Sequence, residues 1–275
     1  MRFSGARARA AAAPTQPSPE DPIAPHHAAW RREFVRRLGI HTVAKMLATM
    51  LGIGAFFIAY FWVLRHPFRP PMLMPVTALD RLVGFEPAFL PLYFSLWFYV
   101  SIAPALLGSG RELASYGAAT LAISVIGFGL FMIWPTAAPP FAPLGPVPPS
   151  MQFLKDVDLA ANACPSLHVA FAVFTALWLA RLLLEMRSGW ALHVLSALWC
   201  VGILYSTLAT RQHVLLDVLA GAALGAAVAA VHMRMLGAAP AAPAAPAAPA
   251  APAAPAAPAA PDELSAAASR GPSRA

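Results

Sequence analysis

Two short stretches carry the residues best suited to chemistry: PSLHVA at 165–170 and STLATRQHVLLDVLAG at 206–221. The first sets Ser166 and His168 where a loop gives way to a long apolar run. The second sets His213 four residues before Asp217, with Ser206 and Arg211 upstream. Residues i and i+4 of a helix share a face. On that reading the Asp217 carboxylate accepts a hydrogen bond from the His213 imidazole, fixes its tautomer and leaves the other ring nitrogen as acceptor or nucleophile. Pro165 and Ser166 read as a helix start, where unpaired N–H groups and the positive end of the dipole favour an anion. An anion cradle, an oriented imidazole and a second imidazole are the equipment for phosphoryl transfer through a phosphohistidine.

The elements that must position these residues are membrane helices. Of the 275 residues, 59% are hydrophobic and only 11% charged, where a soluble domain carries about a quarter charged residues. Six apolar runs, 46–64, 88–107, 114–134, 166–184, 189–208 and 214–233, approach the roughly 20 residues that a bilayer core requires. None alternates strictly, which argues against a transmembrane β-barrel. The expected fold is therefore an all-α integral membrane protein, a six-helix bundle with disordered termini.

Charge sets the orientation. The formal net charge is +7. With both termini in the cytoplasm, only Arg65, Arg69, Arg81, Lys155 and Arg211 fall outside, and the remaining fourteen of nineteen Lys and Arg residues fall inside. The positive-inside rule selects that arrangement, and the basic groups face anionic lipid headgroups, not nucleic acid. The first apolar run has full span length and does not read as a cleavable signal. The expected location is a bacterial inner membrane. Span four then starts, span five ends and span six starts at the outer face, so His168, Ser206, His213 and Asp217 converge on one leaflet. Ionisable groups at such depth are costly and mark function by default. Arg181, Arg234, His232 and His193 fall near cytoplasmic span ends, where an interfacial role suffices.

Residues 1–38 are rich in Arg, Ala and Pro and read as a basic, mostly disordered cytoplasmic arm. Residues 39–236 form the six-span domain. From 237 the chain is an Ala/Pro tail, with AAP repeated eight times over 238–261, which suits an extended spacer and cannot build a core. Within 65–87, TALDRLVGF reads as a short interfacial helix, and Asp80 as its cap. The proline-rich loop 135–163 is the longest between spans. Cys164 lies at a span mouth and Cys200 mid-span, so no disulfide is expected. Gly221 and Gly225 form a small-residue face that permits close helix approach.

The two histidine strings resemble the type 2 phosphatidic acid phosphatase superfamily of membrane phosphatases and phosphotransferases, and within it the branch related to inositol phosphorylceramide synthase. The resemblance covers about 76 to 236, with ALDRLVGFEPAFLPLYFSLWFYV and IWPTAAPP as less specific stretches. It implies that Ser166 binds phosphate, His168 protonates the leaving group, His213 is the nucleophile and Asp217 orients it, with Ser206 matching a further substrate-binding position. Three departures stand out. Leu167 replaces a glycine, as in the synthase-related branch. Thr207 stands where the family has arginine. The family's first motif, a Lys followed by Arg-Pro, has no counterpart, since no Lys or Arg occurs between Glu112 and Lys155. The absent cations would neutralise phosphate oxygens, often the largest catalytic contribution. Arg211 is the best substitute, ahead of Lys155 and Arg69.

The expected function is a lipid phosphatase or phospho-headgroup transferase acting on a phosphoester or diphosphate lipid, with water or an alcohol as acceptor and no metal or cofactor. Two alternatives stay open. An intramembrane serine hydrolase would use Ser166, His213 and Asp217, but PSLH lacks a glycine-flanked serine. A non-catalytic transporter or scaffold would bind an anionic lipid without turnover.

Overall fold

The apolar runs become six helices because a chain in lipid must satisfy its own backbone hydrogen bonds. The computed structural model describes residues 24–140, 149 and 162–237. Six helices are long and apolar enough to cross a bilayer: Thr42–Arg65, Pro87–Leu106, Gly110–Ile133, Leu167–Glu185, Trp190–Ala209 and Leu215–Leu236, termed spans one to six. They follow the expected runs to within a few residues, and the protein is an all-α integral membrane fold. Large apolar side chains such as Leu51, Ile58, Leu121, Val125, Leu198 and Val201 face outward, as lipid-facing positions require.

Span four is the axis of the bundle. It packs on spans two, three, five and six, and Trp178, Phe174, Leu182 and Val169 on it are fully buried. Span two is interrupted. A 3₁₀ turn Pro87–Phe89 leads into helix Leu90–Phe94, and helix Leu96–Leu106 follows after Ser95. The Ser95 hydroxyl donates to the Leu92 carbonyl at 2.6 Å and accepts from Trp199 Nε1 at 2.9 Å, tying the break to span five.

The segment between spans one and two holds the short helix Ala78–Leu82, as its sequence predicts, closed by a capping box between Thr77 and Asp80. Composition gave no sign of a second tie. Met72–Leu73 pairs in parallel with Thr136–Ala137, the residues that follow span three. These connections and the amino end of span four lie at the same end of the bundle as both histidine motifs.

One expectation fails in part. Over 1–38 a mostly disordered arm is expected, yet Ala24–Gly39 is helical. An ion pair within the helix and contacts to distant segments account for this. Arg37 pairs with Glu33 at 2.8 Å and with Glu185 at 3.3 Å. The buried Lys45 ammonium donates to the carbonyls of Arg37 at 2.6 Å and Ala105 at 2.9 Å, satisfying acceptors that a helix end leaves unpaired. Residues 1–23, most of the 135–163 loop and the Ala/Pro tail lie outside the described residues.

Candidate active site

The site begins with a close backbone approach. The Ser166 amide donates to the Asp217 carbonyl at 3.0 Å, joining the start of span four to the first turn of span six. A Cβ at Gly221 would stand 2.3 Å from the Ser166 carbonyl oxygen, and one at Gly225 would stand 2.2 Å from that of Ala170. No other residue type fits either position without moving backbone, so the two glycines set the distance between the motifs. Gly127 of span three makes room for the Leu167 side chain in the same way.

His168 sits one residue into span four. Its Nε2 lies 2.9 Å from the Tyr93 carbonyl. Its ring stacks on the Tyr93 ring with centroids 3.9 Å apart and meets Trp97 edge-on at 6.2 Å. A carbonyl only accepts, so Nε2 carries a proton whether the ring is neutral or cationic. Nδ1 is the nitrogen left to exchange a proton.

His213 does not stand on the sixth helix with Asp217, as the four-residue spacing implies. The helix starts at Leu215, and His213 belongs to the preceding turn. Two bonds form that turn: the amides of Gln212 and His213 donate to the Thr207 carbonyl at 3.1 and 3.2 Å. Arg211 adopts a left-handed φ of 56°, which is uncommon outside glycine. The two side chains still face each other, with His213 Nδ1 3.6 Å from Asp217 Oδ2. That is too long for a hydrogen bond but is close electrostatic contact. The same carboxylate oxygen accepts the Val214 amide at 2.9 Å, so Asp217, fully buried, caps its own helix. The Cys164 thiol lies beside Asp217, and burial and that carboxylate push it up to about 11. It therefore stays neutral beside Asp217.

Asp80 supports this turn from the other side. Its Oδ2 accepts from the Thr77 amide and hydroxyl, each at 2.7 Å, while Oδ1 accepts from the Leu215 amide at 2.7 Å. Burial alone would raise the Asp80 carboxyl. The Thr77 and Leu215 hydrogen bonds and the Arg211 charge outweigh it and hold the group below its usual range. Arg211 donates to the carbonyls of Asp80 at 2.8 Å and Val83 at 2.5 Å.

A cavity of about 170 Å³ brings His168 and His213 together, with Asn162 beside them and Phe56, Phe57, Tyr93 and Trp97 among its walls. Among the described residues, no Lys or Arg lines it. Asp217 stands behind His213. Ser166 and Ser206 are fully buried and away from the cavity wall. The Ser166 hydroxyl accepts the Val169 amide at 3.3 Å as the cap of span four, and the Ser206 hydroxyl donates to the Ile203 carbonyl at 2.6 Å. Sequence reasoning missed Asn162 and Tyr93. An Asn four residues before Ser166 in an apolar stretch was the available signal for the first, since Asn tolerates left-handed backbone. Nothing in the sequence marked a Tyr93 carbonyl exposed by a helix break.

A second space of about 450 Å³ lies between spans one, two and three, with Gly52, Ala55, Gly117 and Thr120 among its lining residues. It shares Phe56, Trp97 and Phe171 with the histidine cavity.

No curated protein and no solved structure matches the chain. Residues 110–240, spans three to six with both histidine motifs, match the family model of the PAP2 superfamily.

Proposed function

We propose that this protein is a membrane lipid phosphatase or phospho-headgroup transferase of the type resembling inositol phosphorylceramide synthase, working through a phosphohistidine. The observation that carries the reading is that His168 and His213 line one cavity, with His168 Nε2 held on the Tyr93 carbonyl and His213 Nδ1 3.6 Å from the Asp217 carboxylate. The Nε2 of His213 attacks phosphorus while the P–O bond to the lipid oxygen breaks. That oxygen takes a proton from Nδ1 of His168. Water or an alcohol then attacks the phosphohistidine, giving up a proton to His168 and regenerating His213. Asp217 orients His213 and stabilises its positive charge. The scheme uses no metal. Ser166 and Ser206 serve it from behind the wall, by capping span four and shaping span five, while Arg211 adds positive potential from the turn it braces.

The second space supports a lipid as the substrate. From Phe61 to Ala48 the walls of the two neighbouring spaces follow span one for about 20 Å at the helical rise, more than one leaflet of about 15 Å. On this reading a long apolar chain lies along these walls with its phosphoester at the histidines. The charge distribution supports cytoplasmic termini in a bacterial inner membrane and a site on the outer face.

The test is a turnover panel. Purified protein in detergent is given phosphatidic acid, an isoprenoid diphosphate and phosphatidylinositol, each with and without an alcohol acceptor. Free phosphate from phosphatidic acid or the diphosphate, or inositol phosphate from phosphatidylinositol, identifies a phosphatase; the phosphoryl or phospho-headgroup carried on the added alcohol identifies a transferase. Wild type indistinguishable from His213→Ala across the panel would overturn the reading.

A further inference from the structure

Asn162 is held more tightly than a loop residue needs to be. Its φ is 69°, in the left-handed region that Asn visits more readily than most residues other than glycine. The residues after it are pinned. The Ala163 amide donates to the Thr136 carbonyl at 3.0 Å, and the Cys164 amide to the Thr136 hydroxyl at 2.8 Å. Thr136 is itself fully buried. Asn162 is 5% exposed, and its Nδ2 has no hydrogen-bond partner among the described residues. A buried amide donor without a partner is rare and asks for an explanation. This one lines the same cavity as His168 and His213.

We infer that the Asn162 amide is a catalytic donor to the non-bridging phosphoryl oxygens of the substrate, supplying by a neutral group part of what the absent Lys and Arg side chains would supply by charge. The inference rests on the phosphotransfer reading above. As His213 Nε2 bonds to phosphorus and the lipid oxygen leaves with the proton of His168, charge builds on the non-bridging oxygens. A fixed N–H aimed at that charge in a site shielded from water acts most strongly in the transition state. The amide exchanges no proton and remains Asn throughout. A neutral donor also makes a sharp chemical demand: a carboxylate of the same shape would repel the phosphoryl group.

Three variants separate the possibilities. Asn162→Gly deletes the donor and keeps the left-handed backbone accessible. Asn162→Asp keeps the shape and replaces the donor by an acceptor. His213→Ala controls for the reaction itself. Initial rates are measured on the best substrate of the panel, together with the inhibition constant of orthovanadate, a mimic of the pentacoordinate phosphoryl group, and the thermal midpoint. Both Asn162 variants should lose about 10²–10³ in kcat, as single oxyanion-donor deletions do. KM should stay within a few-fold, vanadate inhibition should weaken in step with kcat, and the midpoint should not fall. Asn162→Asp within threefold of wild type, while His213→Ala is inactive, overturns the inference and leaves the phosphotransfer reading standing. Loss of rate accompanied by a fall in thermal midpoint in both variants assigns Asn162 to structure and also overturns it. Wild type no faster than His213→Ala removes both.

Discussion

The amide of Ser166 donates to the carbonyl of Asp217 at 3.0 Å. Through this one bond the cap of span four and the carboxylate behind His213 belong to a single backbone unit. Two motifs about fifty residues apart are thereby fixed at helix-contact distance, and the cavity between His168 and His213 inherits its dimensions from that contact.

The glycines that permit this contact should not tolerate side chains. Gly225→Leu and Gly221→Val each force a carbon into a carbonyl oxygen. Each should destabilise the fold by at least the ~1–3 kcal/mol typical of overpacking. Thermal unfolding in detergent reads this directly, and Gly54→Leu, where a Cβ meets nothing within 4 Å, is the control. Equal midpoints for the Gly225 and Gly54 variants would refute the packing account.

His213 and His168 should differ in what their loss does. His213→Ala should abolish turnover. His168→Ala should lower kcat by about 10²–10⁴, the usual contribution of a general acid, and less for a substrate whose leaving group needs no proton. An aryl phosphate and a lipid phosphate compared in the same variant measure that difference. Vanadate should inhibit wild type, and EDTA should leave its rate unchanged.

Asp80 should act on stability and, through the turn, on His213. Asp80→Asn keeps the shape but weakens the acceptance of the Leu215 amide, at a cost of about 1–3 kcal/mol for charge-assisted bonds. The sign with pH follows from the direction of its shift. Its folded pKa lies below the ordinary value of 3.8. The contribution is therefore fully present above about pH 4 and is lost as pH falls through the folded value. Thermal midpoints between pH 3 and 6 should fall with acid in wild type and less so in Asp80→Asn.

The space between spans one, two and three should set chain-length preference. Gly52 and Gly117 line this space and have nothing within 4 Å of an added Cβ, so a larger side chain at either position starts into open space. Gly52→Leu and Gly117→Leu should keep the thermal midpoint. They should lower kcat/KM for long-chain lipid phosphates by about tenfold, equivalent to about 1.4 kcal/mol, and spare short-chain analogues. An equal loss on both chain lengths would count against a chain in this space.

The sequence by itself determined the six spans, because apolar runs of this length have no other low-energy solution in lipid. It also singled out both histidine motifs, as ionisable residues at the ends of apolar runs, and the Gly-x-x-x-Gly face that brings them together. It could not place His213. The spacing to Asp217 suits a continuous helix, whereas the amides of Gln212 and His213 are drawn back to Thr207, and the helix begins only at Leu215. Nor could it separate residues at the cavity from residues behind it. Ser166 caps a helix, Ser206 bonds within its own helix and Arg211 reaches the carbonyls of Asp80 and Val83. Asn162, the Tyr93 carbonyl and the ties of Asp80 became visible only in three dimensions. Each depends on which polar atom finds a partner once distant segments are packed, and residue type and spacing along the chain do not encode that.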